Sequence, residues 1–73
     1  MTAMQEYVSN HVQQLRIQLG ITQEELAGKL GVSRQTIIAI EGGNYTPSVL
    51  LALKIARFFK RPLEDMFKIQ YDK

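Results

Sequence analysis

The sequence predicts a small all-α domain of five helices. Three observations carry that prediction. Apolar residues recur every three or four positions through most of the chain. Two helix starts carry side chains that cap free amides. Glycines stand where the apolar stripes stop. The chain has 73 residues, the size of one domain, taken here as 1–73.

The first helix is expected to start near Asn10, with Val8, Val12, Leu15 and Leu19 at helical spacing and Gly20 as its stop. The second opens on "TQEE", where Thr22 and Glu25 form a capping box. Ile21 and Leu26 sit at hydrophobic-staple spacing around that cap. Leu26, Ala27 and Leu30 form its buried stripe, Lys29 suits its negative end, and Gly31 closes it. The third, "SRQTIIAIEGG", repeats the pattern, with Ser33 as the cap, Val32 and Ile37 as the staple, and Gly42-Gly43 as the exit. Only Gly31, Val32 and Ser33 separate the two helices, so the connection forces a sharp change of direction.

"NYTPS" reads as a loop, with Pro47 suited to a first helical turn and Thr46 or Ser48 near the cap. The fourth helix runs from about Ser48 to Phe59 and buries Val49, Leu51, Ala52, Ile55, Ala56 and Phe59. Pro62 interrupts the pattern, and "PLEDMF" reads as a fifth, short helix. The segments "EYVSN" and "FKIQY" hold strand-forming residues and are too short to be stable alone. They either pair as an antiparallel ribbon or fray.

Composition narrows the functional classes. The chain is 45% hydrophobic and 22% charged, the balance of a globular protein. No apolar run reaches the roughly 20 residues that cross a membrane, and "MTAMQEYVSN" lacks a secretion-signal layout. A cytoplasmic protein without membrane contact is expected. The net charge of +2 favours an anionic partner only slightly. With no cysteine and His11 as the single histidine, neither a disulfide nor a metal site is expected. No phosphate-binding glycine loop or catalytic carboxylate pair is evident, so neither catalysis nor a cofactor is expected.

The third helix raises the functional question. At about 100° per residue, Ile37 and Ile40 share one side, with Thr36 and Glu41 flanking it. The other side carries Gln35, Ile38, Ala39 and Gly42, with Arg34 at its edge. That mixture suits a DNA major groove. Arginine donates twice to guanine, glutamine pairs with adenine, and an aliphatic group meets a thymine methyl. The small Ala39 lets the backbone approach the bases. The same residues also fit a solvated face, a core position for Ile38 on a rotated helix, or a protein contact.

The segment from Leu15 to Phe67, with "TQEELA", "LGVSRQTI", "IE" plus glycine, and "PS" followed by "ALKIA", resembles the five-helix helix-turn-helix domain of phage repressor and Cro-type regulators. The ending "PLEDMFKIQYDK" is most similar to short stand-alone bacterial repressors of the cytolysin-repressor kind, which are homodimers with a terminal β-ribbon. The resemblance implies a sequence-specific double-stranded DNA-binding regulator, a repressor on a palindromic operator. It implies base reading by Arg34, Gln35, Ile38 and Ala39. Ala39 is smaller than its usual counterpart, so fewer hydrogen bonds are expected there. Backbone contacts are implied for Gln23, Ser33, Thr36, Asn44, Tyr45 and Thr46, and a structural ion pair for Arg16 with Glu41. Gly42 offers only a backbone amide.

Surplus apolar residues, Leu50, Phe58, Met66, Phe67, Ile69 and Tyr71, are candidates for a dimer interface, or else complete the monomer core. Lys54, Arg57, Lys60 and Arg61 read as a solvated helix face, with a phosphate patch as the alternative. The competing function is an antitoxin-type protein-binding module, against which the lack of a disordered tail beyond Lys73 counts mildly. RNA binding lacks its usual exposed stacking platforms, and no small-molecule effector is evident.

Overall fold

A computed structural model describes residues 5–71 as five helices and a two-stranded ribbon. The order is β1 (Glu6–Asn10), α1 (Val12–Leu19), α2 (Gln23–Leu30), α3 (Arg34–Glu41), α4 (Val49–Phe59), α5 (Leu63–Met66) and β2 (Phe67–Tyr71). The described part of the expected domain is therefore mostly helical, with its ends zipped together.

The expected caps are present. Thr22 Oγ1 accepts from the Glu25 amide at 3.0 Å, and Glu25 Oε1 accepts from the Thr22 amide at 2.8 Å. That amide, then the Thr22 side chain, hold the Glu25 carboxyl below its ordinary pKa by stabilising the anion. Ser33 caps α3 through the Thr36 amide, and Ser48 caps α4 through the Leu51 amide. Pro47 thus precedes the cap instead of entering the first turn.

Four helices end alike. In each, the last turn is closed by a six-to-one and a five-to-two backbone bond around a left-handed or near-terminal residue. Val32 N to Ala27 O at 3.0 Å closes α2, and Arg61 N to Ala56 O at 3.0 Å closes α4. Gly20, Gly31 and Gly43 supply the positive φ for α1, α2 and α3. Lys60 supplies it for α4, with φ of 56°.

The ribbon is antiparallel, with Val8 opposite Ile69 and Asn10 opposite Phe67. Of the two expectations for the ends, pairing is the one observed. Asn10 ties the ribbon to the helices: its Oδ1 accepts from Val12 N, and its Nδ2 donates to Ile40 O at 3.0 Å. Val8 lies in β1, so its helical spacing to Val12 was coincidental. The residues up to Asn10 join the ribbon, which is why α1 starts only at Val12.

The core is built from Val12, Leu26, Ala27, Leu30, Ile37, Ile40, Leu51, Ile55, Ala56 and Met66. Three expected dimer residues belong to this packing. Met66 is fully buried, and Phe58 and Phe67 lie half-buried against the core. In so small a domain the C-terminal apolar groups are needed to close the base of the bundle. Conversely, Leu19 and Val49, expected inside, are exposed, Val49 by 75%. Both stand at helix ends, where the chain has already turned away from the core.

Lys60 carries a side chain in a conformation that costs an L-residue free energy. Lys60→Gly is expected to raise stability by about 0.5–1 kcal/mol. Urea unfolding of the pair measures it, and an unchanged midpoint contradicts it.

Candidate nucleic-acid interface

Gly31 and Ser33 build the junction between α2 and α3. The left-handed Gly31 reverses the chain, Val32 packs its side chain on the core, and Ser33 restarts the helix. α3 then presents two unlike faces. Ile37 and Ile40 are fully buried. Arg34 and Gln35 are exposed, Ile38 is 37% exposed, and Ala39 is half-buried. Ile38 is therefore not a core residue of a rotated helix.

The residues expected to meet a nucleic-acid backbone fall into two groups. Asn44, Tyr45 and Thr46 are exposed in the loop after α3. Gln23, Ser33 and Thr36 are already engaged. The Ser33 and Thr36 hydroxyls bond each other at 3.0 Å. Gln23 Nε2 donates to Glu41 Oε1 at 3.0 Å, leaving its main-chain amide at the positive end of α2. Arg34 lies close by: with Arg16, Thr22, Gln23 and Glu24 it rims one shallow depression.

Beneath that depression lies the expected ion pair. Arg16 Nε donates to Glu41 Oε2 at 2.7 Å and Nη2 donates to Glu41 Oε1 at 3.1 Å, a two-pronged contact. Arg16 Nη1 also donates to Ile21 O at 2.9 Å. The side chains are 11% and 3% exposed, so the pair is largely out of water. Hydrogen bonding to Glu41 pushes the Arg16 pKa above its ordinary value, and the guanidinium stays charged.

One expectation about the cations is overturned. Lys54 is not part of a solvated face: its Nζ donates to Leu30 O at 2.7 Å. Arg57, Lys60 and Arg61 are exposed, as a solvated face requires. Sequence reasoning also missed Asn10 as a bridge, and it named Leu50 but not Val49 and Leu53 beside it in an apolar trio, all at least half exposed. The signal for the trio was in the spacing, since positions 49, 50 and 53 fall on the side of α4 opposite Leu51 and Ile55.

Two capped helices around a left-handed glycine, with an outward polar edge on the second, define a helix-turn-helix domain. The helix-turn-helix family (HTH_3) matches residues 12–66, and the chain belongs to that family, a regulator of the Cro/C1 type. Its relatives include an uncharacterized HTH-type transcriptional regulator of Methanocaldococcus jannaschii, 54% identical over 65 residues, covering 89% of this chain and 98% of that one. YgzD of Bacillus subtilis, also named an HTH-type transcriptional regulator, is 48% identical over 63 residues, covering 86% of this chain and 96% of that one. The phage CTXphi transcriptional repressor RstR of Vibrio cholerae is 31% identical over 58 residues, covering 80% of this chain and 52% of that one. The fold also matches the crystal structure of the transcriptional regulator VanUg, with a TM-score of 0.75, 22% identity, and coverage of 99% and 96%.

Because the Arg16–Glu41 pair is nearly buried, Glu41→Ala leaves a charge without its partner. A loss of about 3 kcal/mol is expected, the low end of the range for such pairs because Arg16 keeps Ile21 O. Urea unfolding checks this, and a loss below about 1 kcal/mol places the pair with exposed ones.

Proposed function

We propose that the protein is a repressor that binds double-stranded DNA sequence-specifically, as a homodimer on a palindromic operator in the cytoplasm. The observation that carries this reading is the exposed Arg34–Gln35–Ile38 edge in the first turns of an α3 anchored from behind by Ile37 and Ile40. First-turn residues are those that a recognition helix brings to base edges. The name of RstR as a repressor supports the direction of regulation.

Each residue takes a role suited to its chemistry. Arg34 forks onto guanine O6 and N7, and Gln35 pairs with adenine N6 and N7. Ile38 and Ala39 meet thymine methyls. The Gln23 amide receives a phosphate at the start of α2, and Arg34 beside it adds positive charge. In the Ser33–Thr36 hydroxyl pair one proton is used between them and the other is free for a phosphate oxygen. Asn44, Tyr45 and Thr46 follow the strand beyond the helix.

One α3 is only eight residues long, too short to read a full operator. Two copies on a dyad read half-sites about 34–36 Å apart. The apolar trio Val49, Leu50 and Leu53 suits that dyad, because it lies on α4 directly after the loop that leaves α3. Ile69 and Tyr71 on the ribbon are exposed as well and extend the apolar surface. Repression follows from occupancy: the bound dimer blocks polymerase.

Footprinting on DNA upstream of the protein's own gene tests this reading. A palindromic footprint is expected, with affinity falling steeply as salt rises. Arg34→Ala and Gln35→Ala are each expected to cost about 1–3 kcal/mol and to relax base preference at one position per half-site. Equal binding to scrambled DNA sinks the reading. For the dimer, sedimentation equilibrium of Leu50→Glu is expected to give a monomer with stability within about 0.5 kcal/mol of the parent. A monomeric parent at high micromolar concentration removes the dimer.

A further inference from the structure

α2 ends on carbonyls that the helix cannot satisfy. Its closing motif accounts for two of them, Ala27 O through Val32 N and Gly28 O through Gly31 N. Leu30 O is the last carbonyl of the helix, immediately before the turn. It receives Lys54 Nζ from α4, 24 residues on, at 2.7 Å. Gly31 lies beside the same ammonium: a Cβ built there would make an ordinary contact with Lys54 Nζ at 3.8 Å. The charge also sits at the negative end of α2, which strengthens the bond.

We propose that Lys54 is a positioning residue for DNA reading: it ties the turn before α3 to α4 and so sets the direction in which Arg34 and Gln35 leave the body. The geometry gives this bond reach. Leu30 is four residues from Arg34, and only the turn lies between them. Leu50, in the proposed dimer surface, stands one helical turn before Lys54 on α4. The bond therefore joins the last residue of α2, which leads into the turn before the reading helix, to the helix that faces the dyad. Losing it loosens the angle and spacing between two α3 helices, and a palindrome is sensitive to both. Discrimination between operator and random sequence suffers first, because sequence is read by bidentate base contacts of defined geometry, whereas phosphate contacts carry no sequence information. This role rests on the DNA reading above.

The alternative for a lysine here is direct phosphate contact, and salt dependence separates the two. Lys54→Met keeps an unbranched stem and removes the donor; Lys54→Arg keeps a donor. A duplex is first selected from a random pool with the parent protein. Affinity for that duplex and for a scrambled one is then measured across a salt series, below the unfolding temperature of each variant. Lys54→Met is expected to lose about ten-fold on the selected duplex and little on the scrambled one. Its slope of log affinity against log salt is expected to stay unchanged, and Lys54→Arg to recover most of the loss. A slope shallower by about 0.9, the signature of one lost phosphate contact, with parallel losses on both duplexes, overturns the proposal. So does unchanged discrimination in Lys54→Met. A pool in which the parent selects nothing overturns the DNA reading itself, and with it this role for Lys54.

Discussion

The architecture depends on one directional contact, the two-pronged bond from Arg16 to Glu41. Apolar burial of Leu26, Ile37 and Ile40 turns each stripe inward but does not by itself fix the angle between the helices, because hydrophobic attraction has no direction. The guanidinium fork does. It joins the side chain of α1 to the last residue of α3, takes Ile21 O from the intervening loop, and shares its carboxylate with Gln23 at the start of α2. A carboxylate at a helix C-terminus is electrostatically misplaced on its own. Here the guanidinium compensates for it, and three helices meet at one point. Such a pair contributes more to arrangement than to net stability, which suits a domain that presents one exposed helix edge.

Around that point the helices are short. Four of the five are eight or eleven residues long, below the length at which isolated helices persist. Their definition comes from their ends. Side-chain caps at Thr22, Ser33 and Ser48 satisfy amides, and the left-handed closures satisfy carbonyls. Long-range side chains add to this: Lys54 reaches Leu30 O, and Asn10 is a second donor to Ile40 O, which already accepts from Gly43 N. The outward edge of α3 is free of such duties, since its anchoring is done from behind and below.

Much of this was legible in the sequence because it is local. The "TQEE" box, the Ser33 cap and the glycine stops depend on neighbours within four residues, and each appears in the structure. The two faces of α3 followed from helical period alone. The Arg16–Glu41 pair came from family resemblance, and no spacing argument reaches across 25 positions. What failed was tertiary. Val8 shares helical spacing with Val12, yet pairing with Ile69 claims it for a strand. Met66 and Phe67 looked surplus only because the space at the base of the bundle is invisible before folding. Lys54 read as a surface charge because a long polar side chain at a helix flank gives no sign that a distant carbonyl lacks a partner.

The ribbon has a mechanical side. Its outermost rung joins Glu6 to Tyr71 and its innermost joins Asn10 to Phe67, so nearly the whole described chain hangs between its two strands. Tension applied to both ends peels the rungs one at a time, each bearing the load alone, while the helical body stays slack. Only when the Asn10 rung gives way, and with it the amide on Ile40 O, does force arrive at the foot of α3.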